Sequence, residues 1–403
     1  MKIKITFLLI IMSIFCFAQE DYEKQYEEVI PGKEYEAGWL YKIFFGEHWR
    51  KLWTTPVKVE VLDLEHFAGG LTPYQKGGGL QTKSLKFKGN DGRIWKFRSI
   101  NKDPKKILPP EIRESVAADI VQDQISSSNP VAPMIVAPFL DAVGIMQAVP
   151  KLVLLPDTEV LGEFRQEYGG LLGMIEIHPD ERDDEDIVEK DLSFDEADKI
   201  ISTYSLLARL EKKRKQKIDD KEFLKARLID VFLGDWDRHT DQWRWARFEI
   251  EDSKIWYPIP RDRDQAFAKY DGMLPTIAEY IVPQLTHFDY TYPQAEDITW
   301  NGRFLDRRFL TELDKPIWDS VTNFVVSKLT NDVIEKAVKQ LPPEYYNKAG
   351  EELVTKLKSR RDLLPEISDE FYELVNEVVD IFGSDEDDFF IVNRLSDDET
   401  EVI

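Results

Sequence analysis

The sequence predicts an α+β chain of two lobes, a β-rich N-terminal lobe followed by an α-rich C-terminal lobe. Three observations carry this. Val57, Val59 and Val61 alternate with polar residues, and Leu85-Lys86-Phe87-Lys88 and Ile94-Trp95-Lys96-Phe97-Arg98-Ser99 flank Gly89-Asn90-Asp91-Gly92, a strong hairpin signal. From about residue 193 to 382 the apolar spacing becomes helical. Inside that helical half one hairpin stands out, Trp243–Ile250 and Ile255–Ile259 about Glu251-Asp252-Ser253-Lys254.

Taken in order, the chain opens with a positive Lys2/Lys4 region, a short apolar run from Ile5 to Ala18, and a small-residue end. That pattern predicts a secretory signal peptide, 1–18, cut after Ala18, because the run is shorter than the about 20 apolar residues a spanning helix needs. Export places the protein in the periplasm, at the outer membrane or outside the cell. Cys16 is the sole cysteine, so the processed chain has no disulfide and no thiolate chemistry. Loss of Lys2 and Lys4 leaves 51 Lys+Arg against 76 Asp+Glu, a charge of −25 where the whole chain has −23. Such a surface repels nucleic acid and suits an envelope or extracellular protein.

Residues 19–50 are aromatic and acidic and are expected to pack on the body. The N-lobe is assigned to 51–178. Between its two strands, the stretch from Gly69-Gly70 to Gly77-Gly78-Gly79 reads as a polar turn, and the glycines would let backbone amides approach phosphate. Pro109-Pro110 opens a helix reaching about Gln124, with Glu111 and Glu114 in its early turns. Leu152–Leu155 and Leu171–Ile175 read as buried strands. The C-lobe, 179–382, begins with a solvated acidic loop. Helices follow near 194–212, opened by the capping-box spacing of Ser193 and Glu196, and near 220–233. The acidic tail, 383–403, is expected to fray.

The chemistry-bearing stretch is Gly234-Asp235-Trp236-Asp237-Arg238-His239-Thr240-Asp241-Gln242, after a helix and before the hairpin. The hairpin then delivers Ile259-Pro260-Arg261-Asp262-Arg263-Asp264-Gln265-Ala266-Phe267. Phosphoryl transfer needs a carboxylate near the acceptor hydroxyl, oxygen ligands for Mg²⁺ and a cation for the phosphates. Asp237 suits the first role, Asp262 and the Gln242 amide the second. His239 is expected to bond the loop backbone, and Trp236, Trp243, Trp245 and Trp256 to pack the core. No G-x-S-x-G, H-E-x-x-H or G-x-G-x-x-G occurs, and the five histidines lack metal-ligand spacing.

Asp237-Arg238-His239 followed by Gln242 resembles the DRHxxN loop of phosphoinositide lipid kinases and HipA-type kinases, and the DRHxxE of secretory-pathway kinases. Ile259 to Phe267 is similar to the IPWDxD segment of spore-coat CotH kinases and to the DNGxxF segment of secretory-pathway kinases. The segment from Gly77 to Pro104 also looks like an envelope-protein region of Bacteroidetes-type bacteria, there joined to phosphoesterase or outer-membrane barrel modules. The resemblance implies a two-lobed, protein-kinase-like fold that uses ATP with Mg²⁺ or Mn²⁺ on a protein or small-molecule hydroxyl. It places Arg98 at the phosphate-pairing strand position, where a Lys is usual, with Lys96 on the same face as the competing candidate. It makes Glu114 or Asp123 the acidic partner of that cation and sets Glu176 at the hinge. Gln242 stands where relatives carry Asn or Glu. With Arg98, that departure keeps open a second reading, a non-catalytic pseudokinase-type binding protein.

Overall fold

The computed structural model describes residues 24–77, 81–179, 194, 197–213, 215–250, 253–396 and 400–402. The predicted leader, Gly78, Gly79, Ser193, Glu196 and the acidic loop 180–193 lie outside them. Seven strands form the N-terminal sheet: β1 (Tyr26–Val29), β2 (Val57–Val61), β3 (Leu71–Lys76), β4 (Thr82–Gly89), β5 (Ile94–Lys102), β6 (Lys151–Leu154) and β7 (Leu172–Ile177). Their order is β1-β2-β6-β7-β5-β4-β3. Neighbours are antiparallel except β2 and β6.

The predicted hairpin is β4–β5. Gly92 takes a φ of 81°, and the Asp91 carboxylate accepts from the Arg93 amide at 3.0 Å. Period-two alternation then divides the sheet. Leu85, Phe87, Phe97, Val153 and Ile175 pack one face with Leu161, while Lys86, Lys96, Arg98 and Lys102 point to the other.

Three readings are corrected here. Leu71–Lys76 is strand β3, not a turn; Pro73 and a register shift between Pro73 and Gln75 hide the alternation. The helix expected from residue 111 starts at Val116, where the Ser115 hydroxyl accepts from the Ala118 amide at 3.3 Å. Pro104–Ile107 and Pro110–Ile112 form only short 3₁₀ turns. Lys199–Ser202, expected to be helical, is strand β8, and the helix begins at Thr203 with Ser202 as its cap. The tail also carries order, a small exposed hairpin pairing Val392–Arg394 with Thr400–Val402.

The C-terminal lobe centres on the helix Asp220–Leu233, capped by Asp219, whose carboxylate accepts from the Glu222 amide at 3.0 Å. Helices Lys315–Lys328 and Pro343–Asn376 and the unanticipated helix Ala132–Val143 pack on it, and Asn331–Val338 packs on the last two of these. A second sheet adds β8 to β9 (Gln216–Ile218), β10 (Trp243–Ile250) and β11 (Ser253–Pro260), ordered β8-β10-β11-β9. The β10–β11 hairpin is the predicted one, and its Trp243, Trp245 and Trp256 are fully buried. Residues 24–53 fasten to both lobes. β1 extends the sheet, Trp53 Nε1 donates to Ser128 O at 2.9 Å, and Trp49 Nε1 donates to Phe267 O at 2.7 Å. Among the described residues no helix is long and apolar enough to cross a membrane.

Candidate active site

The helix Asp220–Leu233 ends because Gly234 turns left-handed, φ 69°, which redirects the chain into the 235–242 loop. Beneath the loop lies a buried network of three arginines and three aspartates. Arg227 forks onto Asp306 at 2.6 and 2.9 Å and reaches Asp230 at 2.7 Å. Arg263 bonds Asp230 and lies 3.4 Å from Asp235. Arg238, fully buried over the Trp243 ring, donates to Arg261 O at 2.6 Å and to Gln242 O at 3.1 Å. The arginine of the Asp-Arg-His run thus joins the loop to the segment after β11. His239 bonds the loop backbone as expected, its Nδ1 accepting from the Asp241 amide at 3.2 Å.

That scaffold leaves Asp237 facing the space between the lobes. Its Oδ1 accepts from the Asn301 amide at 3.3 Å. Asn301 sits in the Trp300–Gly302 turn, where a Cβ on Gly302 would lie 2.4 Å from Arg227 Nη2, so glycine leaves room for the arginine. Asp262 has a φ of 53° and forms an ion pair with Arg98, Nη2 to Oδ1, at 2.6 Å. Lys102 pairs with Asp264 in the same manner at 2.5 Å. Burial works to raise the Asp262 pKa, but Arg98 and Lys102 outweigh it and hold the carboxyl well below the usual range. Asp264 moves the other way, pushed up by burial and then by Asp262. Gln242, mostly buried, sets its Nε2 3.3 Å from His239 Nε2.

The remaining candidates separate. Arg98, Lys96, Gly77, Asp237, Gln242 and Asp262 all line one cleft of about 1260 Å³. Glu176 lies opposite Lys96 in the β5–β7 register and borders the adjoining recess. Asp123 is held elsewhere, by a bidentate pair with Arg50 at 2.6 Å on each oxygen, and Glu114 is exposed ahead of the helix. The acid facing Arg98 is therefore Asp262. Gly77 is pressed against β4, where a Cβ would lie 1.7 Å from Ser84 Oγ. Trp236 lines the cleft instead of the core.

Sequence reasoning passed over Lys102, Asp264, Arg261, Arg244 and Asn301. Lys102 and Asp264 were visible in principle, four residues beyond Arg98 on the same strand and two beyond Asp262. Asn301 carried no signal. Six Lys/Arg and three Asp line the cleft, the reverse of the chain's overall acidity.

Burial, then Arg98 and Arg261, lower Lys96 to about 7, with Glu176 and Asp262 opposing. Between pH 7 and the lysine's unfolded value the unfolded chain binds more protons, so Lys96 makes stability rise with pH. The slope is at most about 1.4 kcal/mol per pH unit. Urea unfolding at pH 7, 8 and 9 should show that rise in the wild type and a flatter profile in Lys96→Met.

No family model matches the chain, and no curated protein does. Solved structures that match the chain include a Helicobacter pylori proinflammatory kinase, CtkA (13% identity, 76% of this chain and 96% of that one, TM-score 0.39). They also include HipA from a Shewanella oneidensis MR-1 toxin–antitoxin complex (12%, 75% and 67%, 0.37) and the golgi casein kinase (12%, 86% and 84%, 0.37).

Proposed function

We propose that the protein is an exported, kinase-like phosphotransferase that moves a phosphoryl group from ATP or another phosphodonor to a hydroxyl acceptor. The observation that carries this reading is the convergence of Asp237, Asp262 and the basic strand β5 on one cationic cleft inside an acidic protein. Anionic phosphates are the ligands such a cleft attracts. Asp237, oriented by Asn301, receives or orients the acceptor hydroxyl. Arg98 and Lys102 neutralise phosphate oxygens.

A divalent metal fits in a limited way. Among the described residues no three His, Cys, Asp or Glu side chains gather to hold one. Asp262 and Asp264 nevertheless supply the one or two carboxylates that Mg²⁺ takes when phosphate oxygens complete its shell. When bound, the metal supplies charge neutralisation between donor phosphates. Both carboxylates are paired to β5 cations without ligand, so phosphate must take over Arg98 and Lys102 as the metal takes the acids.

The same two ion pairs favour the second reading, a pseudokinase-type binding protein in which they are permanent. Turnover decides. Metal-dependent release of ADP from ATP, measured with the wild type and with Asp237→Asn, should fall by a factor of about 10² or more in the variant if Asp237 serves the acceptor. Equal, trace release in both proteins would leave the binding reading. The acceptor on this view is a protein or small molecule at the envelope, and nucleic acid is disfavoured by charge.

A further inference from the structure

The cleft continues past Arg98 into a second cluster of cations that the phosphoryl-transfer reading leaves unused. Lys86, Lys96 and Glu176 stand opposite one another across β4, β5 and β7, so their side chains share the cleft face. Opposite them, from the other lobe, come Arg244 of β10 and Arg261 after β11. His178 closes this end. It is 8% exposed, and burial first, then Arg261, Lys96, Lys86 and Arg244, disfavour the charged form of its ring. No hydrogen bond or ion pair holds the Lys96 ammonium or the Arg261 guanidinium among the described residues, and Glu176 is the carboxylate beside them.

A neutral heterocycle is a poor occupant for such a place. Small-molecule sites that take flat bases are apolar, and covering the Lys96 and Arg261 cations with an uncharged ring removes their water without supplying a partner. The apolar recess bordered by Val136, Leu140, Met174 and Ile259 is a separate space that meets the cleft at Arg98, Arg261 and Asp262, and none of Lys86, Lys96, His178 and Arg244 lines it.

We propose that the end of the cleft formed by Lys96, Arg261 and His178, with Lys86 and Arg244, is a second anion subsite, so that the ligand is a polyphosphate-type molecule charged along its length and not a nucleotide recognised through its base. This deepens the phosphotransferase reading and rests on it for the role of Asp262. Lys96 and Arg98 are two residues apart on β5, which spaces the two anion subsites by roughly 7 Å at the backbone, within the reach of linked phosphates.

The test is calorimetric binding of inorganic tripolyphosphate and of ATP, each with and without Mg²⁺, to the wild type, Lys96→Met, Arg261→Gln and Asp262→Asn. Met matches the lysine stem and removes only the charge, and Arg261→Gln provides a second variant should the first fail to fold. The expected result is tripolyphosphate bound about tenfold tighter than ATP, with a further loss of about tenfold or more in either cation variant, the worth of one charge-assisted contact. ATP binding tighter than tripolyphosphate, or either anion binding equally well to wild type and both cation variants, overturns the subsite. Sensitivity to Asp262→Asn and Mg²⁺ without sensitivity to Lys96 or Arg261 rejects the subsite and keeps the phosphotransferase reading. The converse pattern keeps the subsite and rejects that reading.

Discussion

Asp262→Asn will separate two properties that most site mutations lower together. In the free protein the Asp262 carboxylate is engaged by Arg98 at 2.6 Å, and Lys102 holds Asp264 beside it. Removing the charge frees Arg98 in a wall that already holds Lys96 and Arg261. Phosphate binding without metal should therefore strengthen, by about tenfold for one released charge-assisted contact. The gain that Mg²⁺ or Mn²⁺ adds should vanish, because only one carboxylate, Asp264, is then left to the metal, and Lys102 already holds it. The free variant should also melt lower than wild type, since three cations then face one another with less compensation, and phosphate should restore it. Titrating phosphate with and without Mn²⁺ against both proteins checks each statement. A variant that binds metal and phosphate together as well as wild type would remove Asp262 from the site.

Arg227→Ala will cost about 3–5 kcal/mol of folding stability, the usual penalty for breaking a buried ion pair from one side. Arg227 and its partners Asp230 and Asp306 are each about 1% exposed, so the substitution leaves two carboxylates with neither solvent nor a full set of donors. Against a total stability of roughly 5–15 kcal/mol this is severe. Urea denaturation measures it. Replacing both ends, Arg227→Met with Asp306→Leu, should recover much of the loss, because well-packed apolar groups substitute for a buried pair at little cost. The double variant should still release ADP from ATP more slowly than wild type. Arg227 supports the turn carrying Asn301, and through it the orientation of Asp237. Recovery of turnover along with stability would argue that Asn301 is not positioned in this way.

What was legible in the sequence was local. The Gly89–Gly92 turn, the β10–β11 hairpin and the Asp237 loop each announce themselves within about ten residues, since turn chemistry and alternation act over that range. Strand β3 did not, because Pro73 and a register shift spoil its pattern and only pairing with β4 makes it a strand. The helix Ala132–Val143 was hidden by its internal Pro138 and an almost uniformly apolar sequence, which leaves no face to recognise.

Partnerships between distant residues were the least legible part of the site. Asp123 looked available to a strand cation until Arg50, 73 residues away, was found to hold it. Arg98 was recognised as the basic strand residue, but its partner Asp262 belongs to the other lobe. The second cluster of cations is spread over three strands and the segment after a fourth, and no local window contains it. Charge counted along the chain misled in the same way, since an excess of acids over the whole sequence coexists with a cleft lined by twice as many cations as acids.

The central claim is that the cleft is a joint phosphate and metal site. Its most direct test is the melting temperature of the protein with ATP or tripolyphosphate alone, with Mn²⁺ alone, and with both. Ligands that bind the native state raise the melting temperature by mass action. The account predicts little change with Mn²⁺ alone, because Arg98 and Lys102 occupy its carboxylates, a rise with the anion, and a larger rise with both. No rise in any condition, or a full rise with Mn²⁺ alone, would contradict it.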